Sequence, residues 1–372
     1  MNLPYKREHS KYFLGFSYLL PLINYKRFKK IAKLYQFDLE KAWQERAHWP
    51  FDNLGFRKEE DKILFKKKVK SINISDYIKE LEKKEIGWIS LIDKDYPLAL
   101  GGLPNPPLVI YFKGNKNILI GRSLAVVGSR AMTSYGARII KEMVPSFTKA
   151  GFCIVSGLAL GIDALAHRKA LESKGSTIAV MPCGLDMIVP RTNSALFDSI
   201  ISSSHGLAIS EFPLGLRPRK FFFPLRSRVV VGLSCAVVVV EAGEKSGTQY
   251  AVAEGVKQEK PIFAVPGSIV SQSSRGANYM IAQLKAKPAL SAASVLKELG
   301  IGEHLSTYQP KDLFDNLSLE EKEVYKFLNM VSLEFDDLLN EVSFNANTLN
   351  RILTSLEIKG MVNSSNGVYT AL

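Results

Sequence analysis

Residues 124–135 read LAVVGSRAMTSY. Four apolar residues, Leu124 to Val127, run into Gly128-Ser129-Arg130, and a helix is expected near Tyr135. A short β-branched run that stops at Gly and Ser just ahead of a helix is the strand–turn–helix unit of a parallel α/β sheet. Backbone N–H groups at such a turn, together with the helix dipole, favour an anion. Arg130 adds a planar, permanently charged fork suited to phosphate. The stretch is therefore expected to be a phosphate-binding turn, the phosphate belonging to a nucleic acid.

The same unit recurs downstream. Phe152–Val155 ends at Ser156-Gly157, with a helix from about Asp163 to Lys174. Thr177–Met181 ends at Pro182-Cys183-Gly184, with a helix near Asn193 to Ser203. Ala236–Val240 is followed by a helix over Ser246–Gln258 and a strand at Ile262–Val265. Leu108–Phe112 and Leu207–Ser210 read as further strands, Arg226–Leu233 as helix, and Asn278–Glu298 as one helix. Strands alternating with helices predict an extended Rossmann-like, doubly wound, mostly parallel sheet. Ligands of such sheets bind beyond the carboxyl ends of the strands, where all three turns fall. The dinucleotide fingerprint fails, because Arg130 and Thr133 stand where its second and third glycines belong, and no Walker A run is present. No nicotinamide, ATP or other cofactor is expected.

Residues 1–86 read as a helical, SAM-like N-terminal domain. Tyr25 to Phe37 places Phe28, Ile31 and Tyr35 on one face and lysines largely on the other, and Trp43 and Trp49 suit a small core. A basic face of this kind either touches nucleic acid or is simply solvated. Residues 87–300 hold the α/β pattern, and 301–315, with Pro310, read as a linker. In 316–372, helices at Leu319–Met330, Phe335–Val342 and Thr348–Lys359 precede a hairpin turning at Gly367, a winged-helix pattern.

Net charge is +13, distributed as +8 over residues 1–90, +10 over 91–310 and −5 over 311–372. A basic body implies a polyanionic partner. The three cysteines, Cys153, Cys183 and Cys235, form no CxxC and no metal spacing, and read as reduced thiols of a cytoplasmic protein. The N-terminal MNLPYKREHS lacks the build of a signal peptide. The apolar run Val229–Val240 is broken by Gly232, Ser234 and Cys235, short of the about 20 residues a membrane span needs.

Three further groups carry chemistry. Arg191 stands just before a helix, where it can meet phosphate. In EFPLGLRPRKFFFPLRSR, Arg217, Arg219, Lys220, Arg226 and Arg228 surround Phe221-Phe222-Phe223. Cations that track a backbone, interleaved with rings that stack on bases, suit a single strand. Because three consecutive exposed rings invite aggregation, at least one of the three is expected in the core. Ser246-Gly247-Thr248 opens a helix as a further anion site or as a plain cap. Asp163 and His167 share a helix face and read as a structural brace; no catalytic residue or metal site is expected.

The runs GSRAMTSYG, SGLALGIDALAHRKAL, TIAVMPCGLDMIVPRTN, SEFPLG, FPLRSR, VVGLS, VVEAGEKSGT and FAVPG stand in register from Tyr96 to Ile281. Together they resemble the DNA-processing protein A family, also called DprA or Smf. The resemblance implies single-stranded DNA binding, a homodimer, and delivery of RecA onto incoming strands in natural transformation. It implies that Arg130 is the phosphate-contacting arginine after Gly-Ser. Arg191 falls where the family often has Lys, and the family's Arg-Asn-Arg is Arg226-Ser227-Arg228 here. A helical N-terminal domain and a C-terminal winged helix are common additions to the family. The acidic tail departs from DNA binding: its third helix has only Arg351 and Lys359, and phosphates need cations. It is expected to contact protein instead.

Two other readings compete. Lysine-decarboxylase-like phosphoribohydrolases carry PGGxGTxxE, and this chain has EAGEKSGTQYAVAE. Ser-Gly-Thr survives, but the leading Pro-Gly-Gly is missing and Ala251 replaces the Glu that would act as acid or base. A membrane-surface role would need an amphipathic basic helix, for which only Tyr25–Phe37 qualifies.

Overall fold

Leu124 to Val127 are buried inside a large, mostly parallel sheet, with helices packed against it. The structure, a computed structural model, describes residues 7–56, 58–244, 246–301, 317–329, 331–359, 361–365 and 367–371. The expected linker, 301–315, lies outside these apart from Ile301.

In chain order, α1 (Ser10–Tyr18), α2 (Tyr25–Leu34), α3 (Leu39–Gln44), α4 (Glu59–Ser71) and α5 (Ile74–Lys83) precede β1 (Gly87–Ser90). Next come α6 (Leu98–Gly101), β2 (Val109–Gly114), β3 (Ser123–Gly128), α7 (Ser134–Lys149), β4 (Cys153–Ser156) and α8 (Ile162–Glu172). These lead to β5 (Thr177–Val180), α9 (Ser194–Ser202), β6 (Gly206–Ser210), α10 (Phe222–Leu233) and β7 (Ala236–Val240). The α/β region closes with α11 (Thr248–Lys257), β8 (Ile262–Ala264), α12 (Gln272–Ala282), β9 (Lys287–Pro288) and α13 (Ala292–Glu298). The C-terminal segment has helices Leu319–Leu328, Phe335–Glu341 and Ala346–Ile358, with strands β10 (Leu333–Glu334), β11 (Val362–Ser365) and β12 (Val368–Ala371).

The chain divides into two units. The first comprises residues 1–116 and 179–229. Its strands follow the order β1-β2-β6-β5, with β1/β2 and β2/β6 antiparallel. Its helices close around aromatic rings. Phe16 stacks on Trp49 at 5.2 Å and meets Phe28 edge-on, and Trp49 donates its indole N–H to the Ala42 carbonyl at 2.8 Å. A buried ring with a satisfied polar tip is what a small helical core needs to be well defined.

The second unit comprises residues 117–178 and 230–372. Its strands run β4-β3-β7-β8-β9, all parallel. In register, Leu124 pairs Ala236 and Gly128 pairs Val240. Strands covered on both faces can be apolar throughout, which explains the unbroken AVVVV of β7. Ile140, Val144 and Phe147 of α7 fill the core with Leu124, Val126, Val238 and Phe263. In the C-terminal segment a three-stranded antiparallel sheet, β10-β12-β11, accompanies the three helices around Val324, Leu349, Leu353 and Leu356.

Two expectations require correction. Residues 278–298 are not one helix. The chain turns at Leu284 (φ 57°) and forms β9, and a Ser291/Ser294 capping box then starts α13. Pro288 in β9 cannot continue a helix. Helix α10 begins at Phe222 rather than Arg226. Pro224 sits in its first turn, where a missing N–H breaks no helical bond. Among the described residues, no helix is long and apolar enough to cross a membrane.

Candidate nucleic-acid interface

In the second unit the Gly128-Ser129-Arg130 turn joins β3 to α7, and a carboxylate of the chain stands beside it. The Ser129 N–H donates to the Glu241 carbonyl at 2.9 Å. The Glu241 carboxylate accepts the Thr133 N–H at 3.0 Å and also the Thr133 hydroxyl. Thr133 in turn caps α7, accepting the Gly136 N–H at 3.4 Å. A carboxylate of the chain itself therefore stands at the α7 N-terminus, where the helix dipole favours negative charge. Gly128 and Gly136 are glycines by close approach: a Cβ would strike the Val240 carbonyl at the first and the Glu241 carboxylate at the second. Ser129 accepts the Ala131 N–H on its hydroxyl at 3.2 Å. The turn is thus an internally bonded scaffold, from which the exposed Arg130 side chain projects. Glu241 was not among the expected site residues, and nothing in EAGEKSGT marks it as a partner of a loop 108 positions away.

The second turn is likewise satisfied from within. Ser156 is fully buried and donates its hydroxyl to the Val126 carbonyl at 2.6 Å. The Gly157 N–H donates to Asp163 at 3.1 Å. The Ser156 hydroxyl and the Gly157 N–H are thus both taken up within the chain. His167, also buried, bonds the Thr177 hydroxyl at 2.7 Å. At the third expected anion site of this unit, the Ser246 hydroxyl accepts the Thr248 N–H at 3.3 Å, Gly247 is the N-cap of α11, and Thr248 is buried. The Ser246 hydroxyl thereby caps the start of α11.

The first unit presents the exposed cations. Asp186 accepts the Gly215 N–H with both oxygens, at 3.1 and 3.0 Å, and the Tyr77 hydroxyl accepts the Leu214 N–H at 3.0 Å. Gly215, at φ 73°, makes the turn from which the basic stretch leaves. Arg217, Arg219 and Lys220 follow, all exposed, and Phe221 after them is 50% exposed. Arg191, in a short turn Arg191–Asn193 leading into α9, is also exposed.

The early start of α10 reassigns the remaining residues. Phe222 and Arg226, four apart, share the buried face of the helix. Phe222 is fully buried against Phe212, at 4.5 Å between ring centres, and is unavailable for stacking. Arg226 donates to the Val180 carbonyl at 3.3 Å. Arg228 pairs with the buried Glu211 and donates to the Asn105 carbonyl at 2.8 Å. Burial pushes the Glu211 carboxyl upward, and Arg228 opposes that shift. Arg226 and Arg228 are therefore engaged within the unit. Phe223 is half-buried, leaving Phe221 as the most exposed of the three rings.

The thiols are poor nucleophiles. Burial pushes Cys183 up to about 12 and Cys235 to about 11, and raises Cys153 as well. Among the described residues, no group of three His, Cys, Asp or Glu gathers into a metal site.

The model of the DNA recombination-mediator protein A family matches residues 87–300, more than half of the chain. The chain belongs to this family. It is 37% identical over 215 residues to the DNA processing protein DprA of Bacillus subtilis, covering 58% of this chain and 71% of that one. It is 35% identical over 277 residues to the protein Smf of Synechocystis, covering 73% and 68%. The solved structure of DprA from Streptococcus pneumoniae matches with a TM-score of 0.65 at 34% identity, covering 77% of this chain and 96% of that one. A solved structure of the Helicobacter pylori protein, concerned with its single-stranded DNA binding mode, matches with a TM-score of 0.52 at 29% identity, covering 58% and 95%.

Proposed function

We propose that this protein binds single-stranded DNA without sequence preference and acts as a non-enzymatic recombination mediator, loading RecA onto strands taken up in natural transformation. The observation that carries the reading is the run Arg217, Arg219, Lys220, Phe221. Its cations and its ring are exposed in a chain whose Helicobacter pylori relative binds single-stranded DNA. Exposed cations beside an exposed ring combine the backbone attraction and the base platform that single-strand binding uses. Arg191 and Arg130 are the further phosphate contacts in this reading.

The proposed organisation is a helical domain over 1–86, the DNA-binding α/β domain over 87–300, a linker over 301–315 and a winged-helix domain over 316–372. The family's homodimer is part of the proposal, and three unpaired cysteines suit a cytoplasmic setting. In the C-terminal segment Arg351 pairs with Glu320 at 3.6 Å and Lys359 with Glu321 at 2.5 Å. The cation of its last helix, Arg351, and the Lys359 that follows the helix are thereby paired with carboxylates, which supports a protein-contact role there.

The test is single-strand oligonucleotide binding across salt by wild type, Arg130→Glu and the pair Arg219→Glu with Lys220→Glu, with RecA-filament formation as a second readout. Each variant should lose affinity and show a shallower salt slope. Unchanged affinity in both variants would remove the assignment.

A further inference from the structure

The N-terminal helices carry a charged surface that the proposed single-strand contacts do not use. On α2, Lys26, Lys29, Lys30 and Lys33 recur at i, i+3, i+4 and i+7, so they share one face, and all four are exposed. Phe28, Ile31 and Ala32 are buried on the other side, and Asn24 caps the helix by accepting the Arg27 N–H at 2.9 Å. The orientation of the lysine face is therefore fixed by packing.

Among the described residues no carboxylate forms an ion pair with these four lysines, and the nearby Asp61 of α4 acts on Arg27. No acidic residue occurs between Glu8 and Asp38. Lys30 reaches only the neutral Asn53 carbonyl, at 3.3 Å, and Lys29 lies over the Tyr25 ring at 5.0 Å. Lys26 and Lys33 have no side-chain hydrogen bond or ion pair among the described residues. Neighbouring cations differ. Arg27 is engaged by the Leu22, Leu54 and Gly55 carbonyls and lies over Phe56, and Lys62 of α4 is paired with Asp52 and Glu59. Lys67 and Lys70 of α4 are exposed and extend the basic character of this region.

The charge of the face calls for a polyanion. Seven residues of helix put Lys26 and Lys33 about 10 Å apart along the axis. That length equals about three base-pair steps along a duplex axis, at about 3.4 Å per step, so several phosphates of one strand lie within reach of the four lysines. Single-strand surfaces add exposed rings for stacking. Here the large exposed apolar side chains are Leu34, Ile63 and Leu64, and the Tyr25 ring beneath Lys29 is only partly exposed. We propose that the α2 lysine face binds the phosphate backbone of duplex nucleic acid, as a grip separate from the single-strand contacts.

The test uses the full chain with all four lysines changed to Gln, and a second variant with all four changed to Glu. The probes are a blunt duplex oligonucleotide and a single strand, titrated across salt. In the Gln variant, duplex affinity should fall roughly tenfold or more at physiological salt, and the log–log salt slope should flatten by about three to four. Single-strand affinity should hold. Arg130→Glu should show the opposite pattern, so failure of the single-strand assignment leaves this one standing. Unchanged duplex affinity in a folded Gln variant would overturn the proposal. So would equal loss on both probes, or loss of sedimentation with phosphatidylserine vesicles while duplex binding is intact. If the Glu variant fails to fold, the Gln variant decides.

Discussion

Glu241 and Thr133 are joined twice, the carboxylate accepting the threonine's backbone N–H at 3.0 Å and its hydroxyl. The Glu241 carbonyl also takes the Ser129 N–H, so one residue at the end of β7 secures both sides of Arg130. Replacing Glu241 with Ala removes the carboxylate that accepts the Thr133 N–H and hydroxyl, while the Ser129 N–H keeps the backbone carbonyl of residue 241. Thr133 is exposed and water can replace the lost acceptor, so the expected loss is about 0.5–1.5 kcal/mol per hydrogen bond, measured by urea unfolding. Single-strand affinity should fall with it, because Arg130 would leave a less ordered turn. Normal stability in Glu241→Ala would show that these bonds do not support the turn.

Phe221 and Phe222 are adjacent in sequence and opposite in role. Phe222→Ala should cost about 3–5 kcal/mol of stability by emptying a packed site beside Phe212. Phe221→Ala should change stability by no more than about 0.5 kcal/mol. It should weaken single-strand binding by about 1–3 kcal/mol if a base stacks on its ring. Thermal melts and oligonucleotide titrations of the two variants separate the two roles.

Arg228 neutralises a carboxylate that is only 7% exposed. Arg228→Met strands Glu211 and should destabilise by about 3–5 kcal/mol. Combining it with Glu211→Gln should restore much of the loss, and a double-mutant cycle measures the coupling. Additive losses would mean that the pair is not coupled. DNA affinity of the folded double variant should match wild type, because neither residue is assigned to phosphate.

Acid should weaken the C-terminal segment through Glu321. Burial raises its carboxyl, but bonds from Lys359, Ser355 (2.6 Å) and the Ser318 N–H (2.8 Å) outweigh that and lower it to about 2. A carboxylate depressed in the folded state contributes stability above its unfolded value, about 4.3. That contribution is lost as pH falls through the window between about 4.3 and about 2. Glu321→Gln should be less stable than wild type at pH 7, with the difference closing towards pH 2. Parallel stability–pH curves for the two proteins would contradict the assignment.

Much of this molecule was legible in the chain itself. Alternating short apolar runs and amphipathic stretches dictate strands and helices locally, because burial on both faces demands continuous Val, Ile and Ala. Hence β3, β4, β5, β7 and β8 lie within a residue or two of where LAVV, FCIV, TIAV, AVVVV and IFAV predict them. Family membership was legible too, since eight motifs keep their order and spacing. The helix over 278–298 was misread, because an apolar pattern alone does not reveal a left-handed turn at Leu284.

The roles of charged and polar groups were decided by tertiary structure. Sequence marks Ser156, Gly157, Arg226, Arg228, Ser246 and Thr248 as candidate anion contacts with the same weight as Arg130 and Arg191. Only folding brings Asp163 to Gly157, Glu211 to Arg228, and Glu241 to the turn after β3. Burying a donor or a charge is costly unless a partner meets it, and the partners come from distant parts of the chain. Composition and spacing therefore determine where strands end and cations cluster. The three-dimensional pairing decides which cations are engaged within the protein and which reach solvent.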